Sequence, residues 1–155
     1  MQKQYSVCMN GATLTLKQAD DSTLPYIETL LERNDLPAQD VRATPEWFYV
    51  AYTDAAPVGI GGVERYGPHG LLRSVVIERT ARGNGFGTAL CEALENTAAA
   101  DGIETLYLLT TTAVDFFTNH GYSEHERATV PATIQQTTEF DSLCPTTATC
   151  LKKPL

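Results

Sequence analysis

The sequence predicts an α/β (α+β) fold, a mixed central β-sheet flanked by helices, and three observations carry that prediction. Strand-length segments of alternating or β-branched apolar residues recur with helix-length amphipathic segments between them. Their order, β-α-β-β-β-α-β-α-β-(α)-β, is an antiparallel start followed by a β-α-β crossover. The 155 residues, 43% of them hydrophobic, suffice for one core without disulfide or metal staples.

Residues 1–155 read as a single domain, with 1–11 as a flexible N-terminal tail. Ala12 to Lys17 alternates and reads as a strand. Asp20, Asp21 and Ser22 offer caps for a helix through Leu24, Ile27, Leu30 and Leu31, which Asn34, Asp35 and Pro37 end. Trp47 to Tyr52 is aromatic and β-branched, hence a strand. A turn at 53–57 leads to a glycine-rich strand, Val58 to Tyr66, and Gly67-Pro68-His69-Gly70 turns the chain back. Leu71 to Ile77 is an apolar strand. A glycine loop precedes a helix over Thr88 to Ala100, which Gly102 closes. Thr105 to Leu109 is a buried strand, and a short helix through Val114, Phe116 and Phe117 ends near Gly121. Ser123 to Arg127 and Thr146 to Leu151 read as late strands, with a helix over Pro131 to Phe140 between them.

Composition narrows the function. The net charge of −8, with no basic run, argues against nucleic acid as a partner. No stretch approaches the roughly 20 apolar residues of a membrane span, and the first residues lack the pattern of a secretory signal, so a cytoplasmic location is expected. The acidic balance fits either high-salt adaptation or an ordinary acidic protein. Cys8, Cys91, Cys144 and Cys150 show no disulfide framework and no metal spacing, and no metal is expected. Cys144 and Cys150 are either small apolar residues or a soft metalloid site.

The loop Arg82-Gly83-Asn84-Gly85-Phe86-Gly87, between strand and helix, is a general anion site. The helix N-terminus and exposed backbone N–H groups face a ligand there, and glycine allows close approach. Thr88 adds a hydroxyl and Arg82 a charge. A P-loop would need Lys after the glycines, where Thr88-Ala89 stands. A dinucleotide fingerprint would need G-x-G-x-x-G, where the spacing is G-x-G-x-G.

Arg82, Gly85 and Gly87 fill the pattern Gln/Arg-x-x-Gly-x-Gly/Ala, and Phe116-Phe117-Thr118-Asn119-His120-Gly121-Tyr122 follows the next strand. With the element order, these segments resemble the GNAT acetyltransferase superfamily over about residues 12 to 128. Residues 70–76, 106–113, Glu139-Phe140, Ser142 to Pro145 and Cys150-Leu151 further resemble its arsenic-resistance N-acetyltransferase group. The resemblance implies splayed parallel strands that admit acetyl-CoA. Val75, Val76 and Ile77 would pair with the pantetheine arm, residues 82 to 88 would hold the pyrophosphate, and Thr110, Thr111 and Phe117 would line the far side. It also implies a homodimer formed through Thr146 to Leu151.

The acceptor implied is a small-molecule amine, amino-acid-like or organoarsenical. A protein or peptide amine, and a non-catalytic CoA or metalloid sensor, are the alternatives. An alkylammonium is mostly protonated at neutral pH, so a base is required. Glu64, near the end of its strand, is the candidate base or else a solvated strand-end residue. Arg73, mid-strand among apolar residues, either anchors an acidic group of the substrate or pairs with an internal carboxylate. Trp47, Tyr49 and Tyr66 are pocket or core residues. Many relatives have tyrosine where Phe117 stands, as proton donor to the leaving thiolate. Thr112 and Tyr107 are the alternative donors, unless the thiolate leaves unaided. His120 is expected on the surface of the short helix.

Overall fold

The computed structural model describes residues 4–9, 12–36, 38–54, 56–83, 85–137 and 148–155, with backbone alone for 4–9 and 12. In chain order its strands are β1 (Gln4–Met9), β2 (Ala12–Gln18), β3 (Phe48–Thr53), β4 (Ala56–Tyr66), β5 (His69–Ile77), β6 (Thr105–Thr110), β7 (Ser123–Glu124) and β8 (Thr149–Pro154). The helices are α1 (Leu24–Arg33), α2 (Phe86–Ala100), α3 (Val114–Thr118) and α4 (Ala132–Gln135). The strands form one mixed sheet in the order β1-β2-β3-β4-β5-β6-β8-β7. Every neighbouring pair is antiparallel except β5 and β6.

The two-residue period of β3 divides the core. Phe48 and Val50 pack with Leu24, Ile27, Leu30 and Leu31 of α1 on one face. Tyr49 and Ala51 pack with Leu90, Ala93 and Leu94 of α2 on the other. The α1 positions are one helical stripe. Before α1, the Asp20 carboxylate accepts the N–H groups of Ser22 at 3.0 Å and Thr23 at 3.1 Å, fixing the entry. Gly102, at φ +90°, ends α2. Its N–H reaches Ala99 O at 3.1 Å and that of Ile103 reaches Ala98 O at 3.0 Å, the Schellman arrangement.

Four sequence readings change. Residues 4–9, read as part of a tail, form β1, paired with β2 from Gln4↔Lys17 to Met9↔Ala12. The helix expected over 131–140 is a single turn, α4, and 138–140 lie outside the described residues. The strand expected over 123–127 has two residues, after which Arg127–Thr129 forms a 3-10 turn. Its partner β8 is already paired with β6 along all six residues, so the strand offered for dimer formation lies inside the sheet. Residues 146–147 lie outside the described residues. Among the described residues, no helix is long and apolar enough to cross a membrane.

Two features open the sheet near its middle. First, β5 and β6 pair only at His69↔Thr105, Gly70↔Leu106 and Leu71↔Tyr107. Beyond these pairs β5 runs on to Ile77 and β6 to Thr110, leaving a V-shaped gap. Second, β5 carries a bulge. Its register on β4 jumps from Gly62↔Arg73 to Ile60↔Val76, and Ser74 between them has φ +60°. Such a left-handed residue inserts an extra step, bends the strand and re-aims the backbone that follows.

Candidate active site

The gap leads into a cleft of about 560 Å³. Val75, Val76 and Ile77 form one wall, directly after the bulge. Arg82, Gly83, Gly85, Phe86, Gly87 and Thr88 form the floor, and Thr112, Ala113, Phe116 and Phe117 the far wall. Ten of the cofactor-contact residues expected from the sequence therefore line one cavity. Asn84 lies outside the described residues.

Local conformation explains the floor. Gly83 and Gly85 have φ +84° and +78°, a region open to glycine without strain. The first intrahelical bond at this end of α2 runs from Ala89 N–H to Gly85 O, at 3.2 Å. The N–H groups of Phe86, Gly87 and Thr88 precede it and point out of the helix end, as in any α-helix. A Cβ on Gly87 would lie 3.4 Å from the Phe116 ring, so glycine lets α3 close against the loop. The Arg82 guanidinium donates to Ile77 O at 3.0 Å and to Asn34 Oδ1 at 3.0 Å. It ties the loop to β5 and to the end of α1, while still lining the cleft. This arrangement can hold a phosphorylated anion.

Thr110 and Thr111 do not line the cleft. The Thr110 hydroxyl accepts the N–H of Ala113 at 3.0 Å, which shapes the entry to α3, and Thr111 is exposed. Thr112 and Ala113 take their place, because the chain turns after β6. Of the two alternative proton donors, Thr112 faces the cleft. Tyr107 packs instead with Leu71, Val130, Ile134 and Cys150 on the opposite face of the sheet. Phe117 is 8% exposed, edge-on to Phe116 and Tyr122. His120 is half-buried and lies in the turn after α3 rather than on it: its ring stacks on Phe116 at 4.4 Å and it meets Thr88.

A second cavity, about 190 Å³, is lined by Asp40, Thr44, Trp47, Glu64, Tyr66 and Gln136 among others. Glu64 is buried rather than solvated, 5% exposed. One of its oxygens accepts the Tyr66 hydroxyl, and the other accepts Arg73 Nη1 at 2.8 Å. Burial pushes the Tyr66 hydroxyl well above the usual phenol range, with the Glu64 hydrogen bond and charge adding to it. Arg73 is the internally paired arginine of the two readings. Its planar fork meets both oxygens of Asp40, with Nη2 to Oδ1 at 3.0 Å, besides Glu64. The Arg73 side chain is 1% exposed, so two carboxylates compensate a charge that burial would otherwise make costly. Its expected role as a substrate anchor is therefore corrected: the guanidinium already serves Asp40 and Glu64. Trp47 and Tyr66 meet edge to face at 5.6 Å beside the cavity. Tyr49 is core, with its hydroxyl accepting from Arg65 at 2.8 Å.

Sequence reasoning missed Asp40, Asn34, Leu36 and Phe116 as lining residues. The first three lie on the irregular chain after α1, which carries no periodic signal. Phe116 stood in the quoted motif, but only the second aromatic was assigned to the cleft. Cys150 packs among apolar side chains, and burial pushes its thiol up to about 11. Cys144 lies outside the described residues. Among the described residues, no group of three or more His, Cys, Asp or Glu side chains could hold a metal ion.

A mixed sheet splayed beside a glycine loop that opens a helix defines a class of α/β fold with an anion-binding cleft at the middle of the sheet. The family model described as Acetyltransferase (GNAT) domain matches residues 44–124, more than half of the chain. The chain belongs to the GNAT acetyltransferase family. It is similar in fold to N-acetylglutamate synthase from Neisseria gonorrhoeae complexed with coenzyme A and N-acetyl-glutamate. The TM-score is 0.79 at 18% identity, over 92% of this chain and 35% of that one. It is also similar to Rv2747 from Mycobacterium tuberculosis in complex with CoA, with a TM-score of 0.76 at 21% identity over 90% and 98% of the two chains. In sequence it is 41% identical over 73 residues to mouse N-alpha-acetyltransferase 80, over 44% of this chain and 23% of that protein. The chain thus matches about a quarter of that relative's length.

Proposed function

We propose that the chain transfers the acetyl group of acetyl-CoA to the amine of a small molecule, with Glu64 as the base. The observation that carries this reading is the cleft beside the unpaired end of β5, walled by Val75 to Ile77 on one side and by Thr112, Ala113 and α3 on the other, and floored by the glycine loop. The glycine loop and the helix end on its floor suit the phosphates of acetyl-CoA. The bulge at Ser74 re-aims the backbone of Val75, Val76 and Ile77, which suits pairing with the pantetheine amides as an added strand would. The N–H groups at the start of α2 suit the pyrophosphate.

When bound, acetyl-CoA supplies the thioester carbonyl that accepts the amine. The chain's own groups do the rest. Glu64 takes the ammonium proton, directly or through a water in the small cavity. Arg73 and Tyr66 hold its carboxylate in place, one on each oxygen. A backbone N–H of Val76 or Ile77 meets the developing oxyanion. Of the two donors the sequence suggested for the departing thiolate, Thr112 is the one that lines the cleft.

The acceptor class we assign is amino-acid-like amines, organoarsenical amino acids among them. Its support is the sequence resemblance of residues 70–76 and 106–113, and a cavity small enough to select a compact amine. With Arg73 committed to Asp40 and Glu64, the acceptor's amine is drawn by those carboxylates. The match to mouse N-alpha-acetyltransferase 80 favours a second reading, a peptide N-terminus. CoA release measured across amino acids, organoarsenical amino acids, polyamines and short peptides separates the two. Turnover of compact amines alone supports the first reading, and turnover of peptides alone replaces it with the second. Absence of turnover with every class would overturn the proposal of catalysis.

A further inference from the structure

We propose that His120 is a positioning residue that couples cofactor binding to proton uptake. It orients the Thr88 hydroxyl toward the pyrophosphate only when its own ring carries both N–H groups. The inference rests on reading the large cleft as the acetyl-CoA site and goes beyond it.

The geometry leaves one variable proton. Nδ1 of His120 lies 2.6 Å from the carbonyl oxygen of Phe116. A carbonyl only accepts, so Nδ1 carries hydrogen in every state that keeps this contact. Nε2 lies 2.8 Å from Thr88 Oγ1. A hydroxyl has a single hydrogen and can either donate or accept here. With a neutral ring, Thr88 must give its hydrogen to Nε2 and turns only lone pairs toward the cleft. With a charged ring, Nε2–H donates to Oγ1 and the Thr88 hydrogen is free for an anionic oxygen. A phosphate oxygen at the start of α2 is repelled by the first arrangement and bound by the second.

The ring cannot easily evade the choice. It stacks on Phe116 at 4.4 Å with 29° between planes, and Phe116 in turn packs against Gly87. Thr88 lies in the first turn of α2 and lines the cleft. The charges around the pair belong to several elements. The Arg82 guanidinium on the loop bonds Ile77 O and Asn34 Oδ1. Asp115 lies in the first turn of α3, and Glu92 one turn beyond Thr88 on α2. Lys153 of β8 packs against Gly121 and pairs with Glu95 at 2.9 Å, so its charge is compensated. A bound pyrophosphate adds negative charge where the helix end and Arg82 are positive, which favours the charged ring.

The test is calorimetric binding of 3′-dephospho-CoA to the full chain between about pH 5.5 and 7.5. The diphosphate has no group titrating there, whereas the terminal phosphate of CoA does, at about 6. Buffers of different ionisation enthalpy give the protons taken up. For the native chain, affinity rises as pH falls, by about ten-fold over the range, with uptake approaching one proton. His120→Gln and Thr88→Ala still bind, with the uptake lost, while Thr88→Ser retains it. Imidazole nitrogen NMR of the native chain needs no variant: the His120 ring gains its Nε2 hydrogen on ligand addition, and His69 and His125 do not change. Binding with no proton uptake, uptake undiminished in His120→Gln, or an unchanged His120 ring overturns the proposal and leaves the cleft assignment standing. No binding of 3′-dephospho-CoA at any pH overturns both.

Discussion

At the scale of single residues, the Asp40–Arg73–Glu64 cluster decides how the smaller cavity behaves. Removing one partner of a buried ion pair strands the others. Arg73→Met leaves Glu64, 5% exposed, and Asp40 facing each other without compensation. The expected loss is about 3 kcal/mol of stability, read from urea unfolding. A residue that merely anchored substrate would instead raise the acceptor KM at unchanged stability. Glu64→Gln keeps the shape and removes the base. We expect kcat to fall by about 100- to 1,000-fold, with CoA affinity by calorimetry unchanged. An equal loss in both would place Glu64 in cofactor binding. Neither partner of Arg73 was legible beforehand. A mid-strand arginine announces that it needs anions, but which ones depends on residues 9 and 33 positions away in the chain.

At the scale of elements, the bulge in β5 and the close approach of β4 belong together. A Cβ on Gly59 would lie 2.6 Å from the carbonyl oxygen of Val76, a backbone atom that cannot move aside as a side chain can. Gly59→Ala therefore pushes β5 away from β4 just where Val75, Val76 and Ile77 line the cleft. Acetyl-CoA binding is expected to weaken at least about ten-fold and thermal stability to drop by about 1–3 kcal/mol. Calorimetry and thermal unfolding check the two, and a stability loss with native CoA affinity would separate the contact from the site. β1 shows why an element can be missed. Its residues, Gln4 to Met9, alternate weakly and are short, and it is the outermost strand. The better signal was the Asn10-Gly11 pair separating the paired Met9 and Ala12, a dipeptide favoured in two-residue hairpins.

At the scale of the whole molecule, buried neutral acids make the fold sensitive to alkali. Burial, with the Glu95 charge beside it, pushes the Cys91 thiol up to about 12 from an ordinary value of 9.0. Burial raises Cys150 to about 11 and moves Tyr26, Tyr66 and Tyr122 in the same direction. The folded state therefore binds more protons than the unfolded chain above pH 9. Stability from these groups is complete below that pH and is lost as pH rises through their folded values. The urea midpoint should stay level to about pH 8.5 and fall between about pH 9 and 11. Cys91→Ala should make that fall shallower. A midpoint unchanged at pH 10.5 would contradict the burial of these groups as proton-bound species.

The sequence by itself determined the class of fold and the glycine-loop end of the large cleft. Both are local: a strand, a glycine loop and a helix are consecutive in the chain, and φ-permissive glycine and periodic apolar residues mark them without reference to anything distant. That is why residues 75–77, 82–83 and 85–88 fall along one cleft. Tertiary structure alone decided the rest. The bulge at Ser74 follows from the register of β5 on β4, and the gap from where β5 and β6 stop pairing. The fate of Arg73, the burial of Glu64, and the meeting of His120 with Thr88 each join segments far apart in sequence. Such contacts are set by packing across the sheet and between helices, where charge and hydrogen-bond demands are met by whichever partners the fold brings near.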